Sequence, residues 1–345
     1  MITRSQALAA GMTLDMLRHA IRSGGPWQRV LPGVYATFSG PLNTLHRLRV
    51  AVLYAGDEAV VTGPWGCDMI GLRYGPPLGD AVDVLVGHGR GRGSTARVRL
   101  VRTRRMPDAR RWVDEERLED ARGSGPPLDV TLDPLAPSAS PGVIPMAPAA
   151  RVVIDTVVRP DRLPMDWRPA CSPRRTDCPD CRGGRLHRAS ALRNVRALMC
   201  EVVQRRRASV ADLRAEVAAA PRRGGALARL AMRDIDAGCR SAPECELRDL
   251  VRRSRVLPEP RWNRVLPGSR GIHPDACWPR ARLVVEVDSR SWHGFGDAPR
   301  RTEERRARYA ALGWRVLPVS PARIRADPDA VLAELEAAYL AGLGR

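Results

Sequence analysis

The residues best suited to chemistry gather between Asp275 and His293, in DACWPRARLVVEVDSRSWH. One acid opens the span, an apolar β-branched run follows, and two acids and a histidine close it. Leu283–Val287 has the length and composition of a strand. Alternate side chains of a strand share a face. The pattern therefore predicts Glu286 and Asp288 on one side, and Val285 and Val287 on the other. An antiparallel neighbour would bring Asp275 alongside. Crowded carboxylates repel unless something compensates them, and the usual compensation is a divalent cation held by oxygen. Bound Mg or Mn could generate hydroxide and steady the charge on a phosphate under attack. The plainer alternative is a solvated strand end. What separates the two is context: Asp275, the strand, His293 and then an arginine-rich helix.

These residues need a partner and a scaffold. The 345-residue chain carries 57 basic and 38 acidic side chains, a formal net charge of +19, and no lysine. Arginine forks onto phosphate and keeps its proton, so the surplus suits a polyanion, most commonly nucleic acid. Composition offers a second reading, because Arg, Ala, Gly and Pro are abundant together, as GC-rich coding produces. No apolar run reaches the ~20 residues that span a bilayer, and the N-terminus lacks a signal-peptide core. The expectation is a cytoplasmic protein with no membrane partner. In that compartment the eight cysteines are free thiols or metal ligands rather than disulfides.

Five segments follow in order. Residues 1–40 read as a winged helix-turn-helix. Thr3 and Gln6 form a capping-box pattern, Gly11 ends the first helix, and Thr13 caps a second. That second helix sets Leu14, Leu17 and Ile21 at helical spacing and displays Arg18 and Arg22. A hairpin then runs through Trp27, Arg29 and Gly33-Val34-Tyr35. This pattern resembles the N-terminal domain of AbiEi-family antitoxins. The resemblance implies DNA binding through Arg18, Arg22 and Arg29, with a cognate toxin as partner. Residues 41–160 read as an α/β region that is more loosely similar to the central part of the same family. Its strands Val82–Val86 and Arg97–Arg102 are expected to pair through a mobile Gly87–Gly93 hairpin, and 123–148 to be flexible. Residues 161–190 are a polar insert in which Cys171, Cys178, Cys181 and His187 could hold structural zinc. Its unusual first spacing favours a loop with incidental cysteines. Residues 191–239 are a helical connector.

Residues 240–345 carry a second resemblance. Its marks are Ser241-Ala-Pro-Glu244 opening a helix, Leu257-Pro-Glu-Pro260, Asp275 in PDACWP, VVEVD, His293 and Gly313-Trp-Arg-Val-Leu317. Together they are similar to the Vsr-related endonucleases of the PD-(D/E)XK group. The resemblance implies a restriction-endonuclease-like α/β core, a mixed α/β protein overall, and Glu244, Asp275 and Glu286 as metal and catalytic carboxylates. Asp288 would be a further ligand. With no lysine to end an E-X-K motif, His293 is the candidate to orient water. Ser289 stands where that family usually has glycine, Thr302 near its usual acid, and Pro318 near its usual arginine. Two functions follow: a Mg- or Mn-dependent DNA endonuclease, or a non-catalytic DNA-binding regulator or antitoxin that keeps the fold.

Overall fold

The computed structural model describes residues 1–89, 91–113, 143–168, 185–287 and 298–344. Asp288, His293, Cys171, Cys178 and Cys181 lie outside the described residues. The protein is mixed α/β, with twelve α-helices and three sheets among the described residues. The chain divides into two compact units, Met1–Arg159 and Pro160–Arg345.

The first unit opens with β1 (Ile2–Thr3), α1 (Arg4–Ala9), α2 (Leu14–Ala20), β2 (Gln28–Leu31) and β3 (Val34–Ala36). The caps act as the sequence predicts. Thr3 and Gln6 close a reciprocal capping box on α1, and Thr13 Oγ1 accepts from Met16 N at the start of α2. Gly11 turns the chain between the helices at φ +88°, a conformation that costs glycine nothing. Ala7, Leu17 and Tyr35 form a small core, with Trp27 and Ile21 packed against it. Strand β1 is too short to leave a periodic signal. It pairs with β3 through Ile2 and Tyr35, making a three-stranded wing.

The rest of this unit is α3 (Thr44–Ala55), β4 (Val60–Thr62), α4 (Gly63–Met69), β5 (Val82–Gly87), β6 (Val98–Thr103), β7 (Arg110–Val113), β8 (Val143–Met146) and α5 (Ala149–Val157). The strands lie in the order β6-β5-β4-β8-β7. Two expectations are corrected. First, β5 and β6 do pair, but in parallel, Val82 facing Val98 through Gly87 facing Thr103. Alternation is the same for either direction, so it could not decide between them. The connection over 88–97 is long enough to return the chain to the start of β5. It is also tied down: Tyr54 Oη donates to Gly93 O, and the Arg92 guanidinium lies 5.1 Å from the Tyr54 ring centre. Second, the stretch read as flexible ends in a strand. Ile144, Pro145 and Met146 are buried in β8 beside β4.

The second unit holds α6 (Arg185–Gln204), α7 (Val210–Ala219), α8 (Ala226–Ala237), α9 (Ala242–Val251), β9 (Arg261–Trp262), β10 (Ala276–Trp278), β11 (Leu283–Val287), α10 (Ala298–Ala311), β12 (Arg315–Val319), α11 (Pro321–Ala326) and α12 (Pro328–Leu343). Its sheet runs β12-β11-β10-β9. β9, β10 and β11 are antiparallel, and β12 joins β11 in parallel. Leu283, Val284 and Val285 are all buried, so both faces of β11 are covered. Val284 packs with Cys277, Leu266, Tyr309 and Trp314. Beneath α9 an ion network satisfies its own charges: Arg196 and Arg248 both bond Asp234, and Arg248 also bonds Glu259. No helix among the described residues is long and apolar enough to cross a membrane.

Gly238 ends α8 in the left-handed region at φ +109°, and a Cβ there would lie 2.9 Å from the Trp262 carbonyl oxygen. Gly238→Ala is expected to destabilise the second unit by about 1–3 kcal/mol, the scale of a forced left-handed residue. The urea midpoint of that unit measures it, and an unmoved midpoint would contradict the close approach of Gly238 to Trp262.

Candidate functional site

Register brings the acids together. Ala276 faces Val285 across the β10–β11 ladder, so the next pair outward sets Asp275 against Glu286. Directly opposed residues on antiparallel strands hold their Cβ atoms about 5 Å apart. Asp275 Oδ2 also accepts from Val287 N at 2.7 Å, which fixes the carboxylate at the end of β11. The antiparallel neighbour expected for Asp275 is therefore present, and it is the strand that Asp275 itself introduces.

Glu244 arrives from the other side. Ser241 caps α9 and donates its Oγ to Glu244 Oε1 at 2.8 Å, while Arg240 N donates to Oε2 at 2.8 Å. This is helix N-cap chemistry without the reciprocal bond of a capping box, and on its own it would be purely structural. Asn263 changes that. It is buried and left-handed (φ 49°), and its Nδ2 donates to Glu244 Oε2 and to Gly238 O. Its backbone N donates to Asp275 O at 3.1 Å, and its carbonyl meets His273 Nδ1 at 3.2 Å. One residue thus ties the helix carboxylate to the backbone of the strand that carries Asp275.

Glu286 is held on its outer side by α10. Tyr309 Oη donates to Glu286 Oε1, and Arg305 Nη2 lies 3.1 Å from the same oxygen. Arg305 Nε donates to Tyr309 Oη at 3.0 Å, and Nη2 also donates to the His273 carbonyl.

The electrostatics follow from this crowding. Burial, and then the Asp275 charge, push both Glu244 and Glu286 up to about 7. The hydrogen bonds to Glu244, and Tyr309 and Arg305 beside Glu286, pull the other way without cancelling the rise. Burial and the Glu286 charge also raise the Tyr309 phenol, so it stays a donor at neutral pH. Carboxylates crowded onto one side of a sheet, where each makes ionisation of the other harder, are a donor set of the kind a hard divalent cation takes. Among the described residues no three His, Cys, Asp or Glu side chains are arranged to hold a metal ion as they stand. Glu244 has its oxygens engaged by Ser241, Arg240 and Asn263. Asp275 and Glu286 are the pair with the better fit, and Glu244 stands behind them.

No family model matches the chain. Two relatives are similar to part of it, both from Mycobacterium tuberculosis: the uncharacterized protein MT2308 of strain CDC 1551 and the uncharacterized protein Rv2248 of strain H37Rv. Each is 30% identical over 148 residues, 42% of this chain and 51% of the relative. The chain spans about half the length of the curated relatives it matches.

The remaining predicted residues are dispersed. Arg18 is exposed on α2 and paired with Asp15 at 2.9 Å. Arg22 and Arg29 are exposed, just after α2 and on β2. His187 lies half-buried on α6, while its proposed zinc partners lie outside the described residues. The described cysteines, Cys67, Cys200, Cys239, Cys245 and Cys277, are buried thiols outside any disulfide. Sequence reasoning missed Asn263 and Tyr309, and it placed Arg305 only on the arginine-rich helix that follows the acids, with no tie to Glu286. Arg305 and Tyr309 sit four apart on one helix face, a spacing visible in RRARY. Nothing in the sequence says that this face meets Glu286.

Proposed function

We propose that the second unit is a metal-dependent nuclease domain, and that the exposed arginines of the N-terminal helices and wing place the protein on DNA. The reading is carried by the cross-strand pairing of Asp275 with Glu286, with Glu244 joined to the Asp275 backbone through Asn263. It agrees with the resemblance to Vsr-related endonucleases over 240–345 and to AbiEi-family antitoxins over 1–40. Magnesium or manganese held by Asp275 and Glu286 would supply Lewis-acid polarisation of the scissile phosphate and a water of lowered pKa.

The chain's own residues do the rest. Asp275, held by Val287 N, keeps its second oxygen fixed relative to Glu286. Asn263 prevents Glu244 from swinging away and also fixes the backbone of Asp275. Tyr309 bonds Glu286 and sets the direction of its free oxygen. The burial that raises these carboxylates also keeps bulk water from screening them.

A second reading keeps the DNA-binding head and gives up cutting: a regulator or antitoxin of a toxin–antitoxin pair. Pro318 favours it, because it lies opposite Glu286 in the β11–β12 register, at the place where the family's arginine is missing. Incubating supercoiled plasmid with the full chain and Mg2+ or Mn2+ separates the two. Metal-dependent nicking supports the nuclease. Salt-sensitive DNA binding with no nicking supports the regulator.

A further inference from the structure

Among the described residues Arg305 is the cation ion-paired with Glu286, while Arg306 acts on it only through its charge, and the ion pair does not account for how Arg305 is held. Arg305 comes from the second turn of α10. Its Nη2 reaches Glu286 Oε1 and the His273 carbonyl, and its Nε is bonded to Tyr309 Oη. The guanidinium is thus oriented from the strand, from a loop and from its own helix. Even so, the side chain remains 43% exposed. An ion pair with that much exposure contributes about 0–1 kcal/mol, which is little return for so constrained an arginine. The chain contains no lysine, so no ammonium can stand near the acids. A guanidinium keeps its proton at any working pH and cannot act as a base. What it can offer is a fixed fork of donors to an anionic oxygen.

We propose that Arg305 is the phosphate-contacting cation of this site. Its exposed edge binds a non-bridging oxygen of a phosphodiester lying over Asp275 and Glu286. In this geometry it takes the place beside Glu286 that Pro318, its β12 neighbour, cannot fill. The proposal rests on the nuclease reading for the position of the phosphodiester.

The test uses the full chain with Arg305→Ala and Arg305→Lys. Duplex binding is measured in Ca2+ across a range of salt, and Mn2+ binding is measured separately. Arg305→Ala is expected to flatten the slope of log affinity against log salt by about 0.9, one phosphate contact. Arg305→Lys is expected to keep the slope. Mn2+ affinity should not fall in either variant, and nicking in Mg2+ should fall roughly a hundredfold in Arg305→Ala, the scale of one lost preorganised donor. An unchanged salt slope overturns the proposal. So does a parallel loss of Mn2+ affinity, which would make Arg305 a support for Glu286 alone. A wild-type protein that binds duplex without cutting it refutes the nuclease reading, and the slope comparison still decides the role of Arg305.

Discussion

Asp275→Asn is expected to lower metal-dependent plasmid nicking by on the order of a hundredfold or more, the scale on which removal of one preorganised electrostatic group acts. The substitution keeps the acceptor for Val287 N and the size of the side chain, so β10 and β11 should still pair. What it removes is the charge that pushes Glu244 and Glu286 upward. Both glutamates should then ionise more readily, and the folded unit should be no less stable at pH 8. Loss of nicking with stability retained is the signature of a charge needed for chemistry. Equal nicking by the variant, checked by gel at matched protein concentration, would exclude Asp275 from the site.

A second large effect is set by pH. Folded Glu244 and Glu286 titrate at about 7, against an ordinary 4.5. Between those values the folded state holds protons that the unfolded state has released. Stability therefore falls as pH rises through the window and is lowest above it. The penalty is at most roughly 3 to 4 kcal/mol per carboxylate, and for the pair less than the simple sum because both respond to Asp275. The second unit should melt at higher temperature at pH 6 than at pH 8. Glu286→Gln should raise the pH 8 value and flatten the dependence. Millimolar Mn2+ should restore stability at pH 8 and do little at pH 6, where the carboxylates hold protons. Nicking should likewise fall as pH drops below 7. A unit that gains stability from pH 6 to pH 8 would show that the two glutamates are already compensated within the chain.

Much of this was legible in the sequence, for local reasons. Thr3, Thr13 and Ser241 announce their helices because a cap is a contact between residues three apart, and each cap is present. The strand at Leu283–Val287 is plain from its β-branched run, and the expected neighbour for Asp275 is β10. Strand direction was not legible. The β5–β6 pair is parallel because the connection over 88–97 can run back along the sheet, and that is a property of the loop. The frame of the site was hidden for a related reason. Tyr309 reaches Glu286 across 23 residues of sequence and Asn263 reaches Glu244 across 19. Such contacts exist only after the helices have docked on the sheet. Asn263 is the most instructive case. In the sequence it is one polar residue in a loop, and only its left-handed backbone and four bonds show that it joins the two halves of the site.

Direct titration of Mn2+ into the full chain at pH 8, followed by the loss of the free-ion paramagnetic resonance signal, reaches the core of the account without relying on DNA. Wild-type protein should take up the ion, and Asp275→Asn and Glu286→Gln should each lose most of that uptake while remaining folded. Equal uptake by all three proteins, or none by the wild type, would mean that these facing carboxylates do not make a cation site.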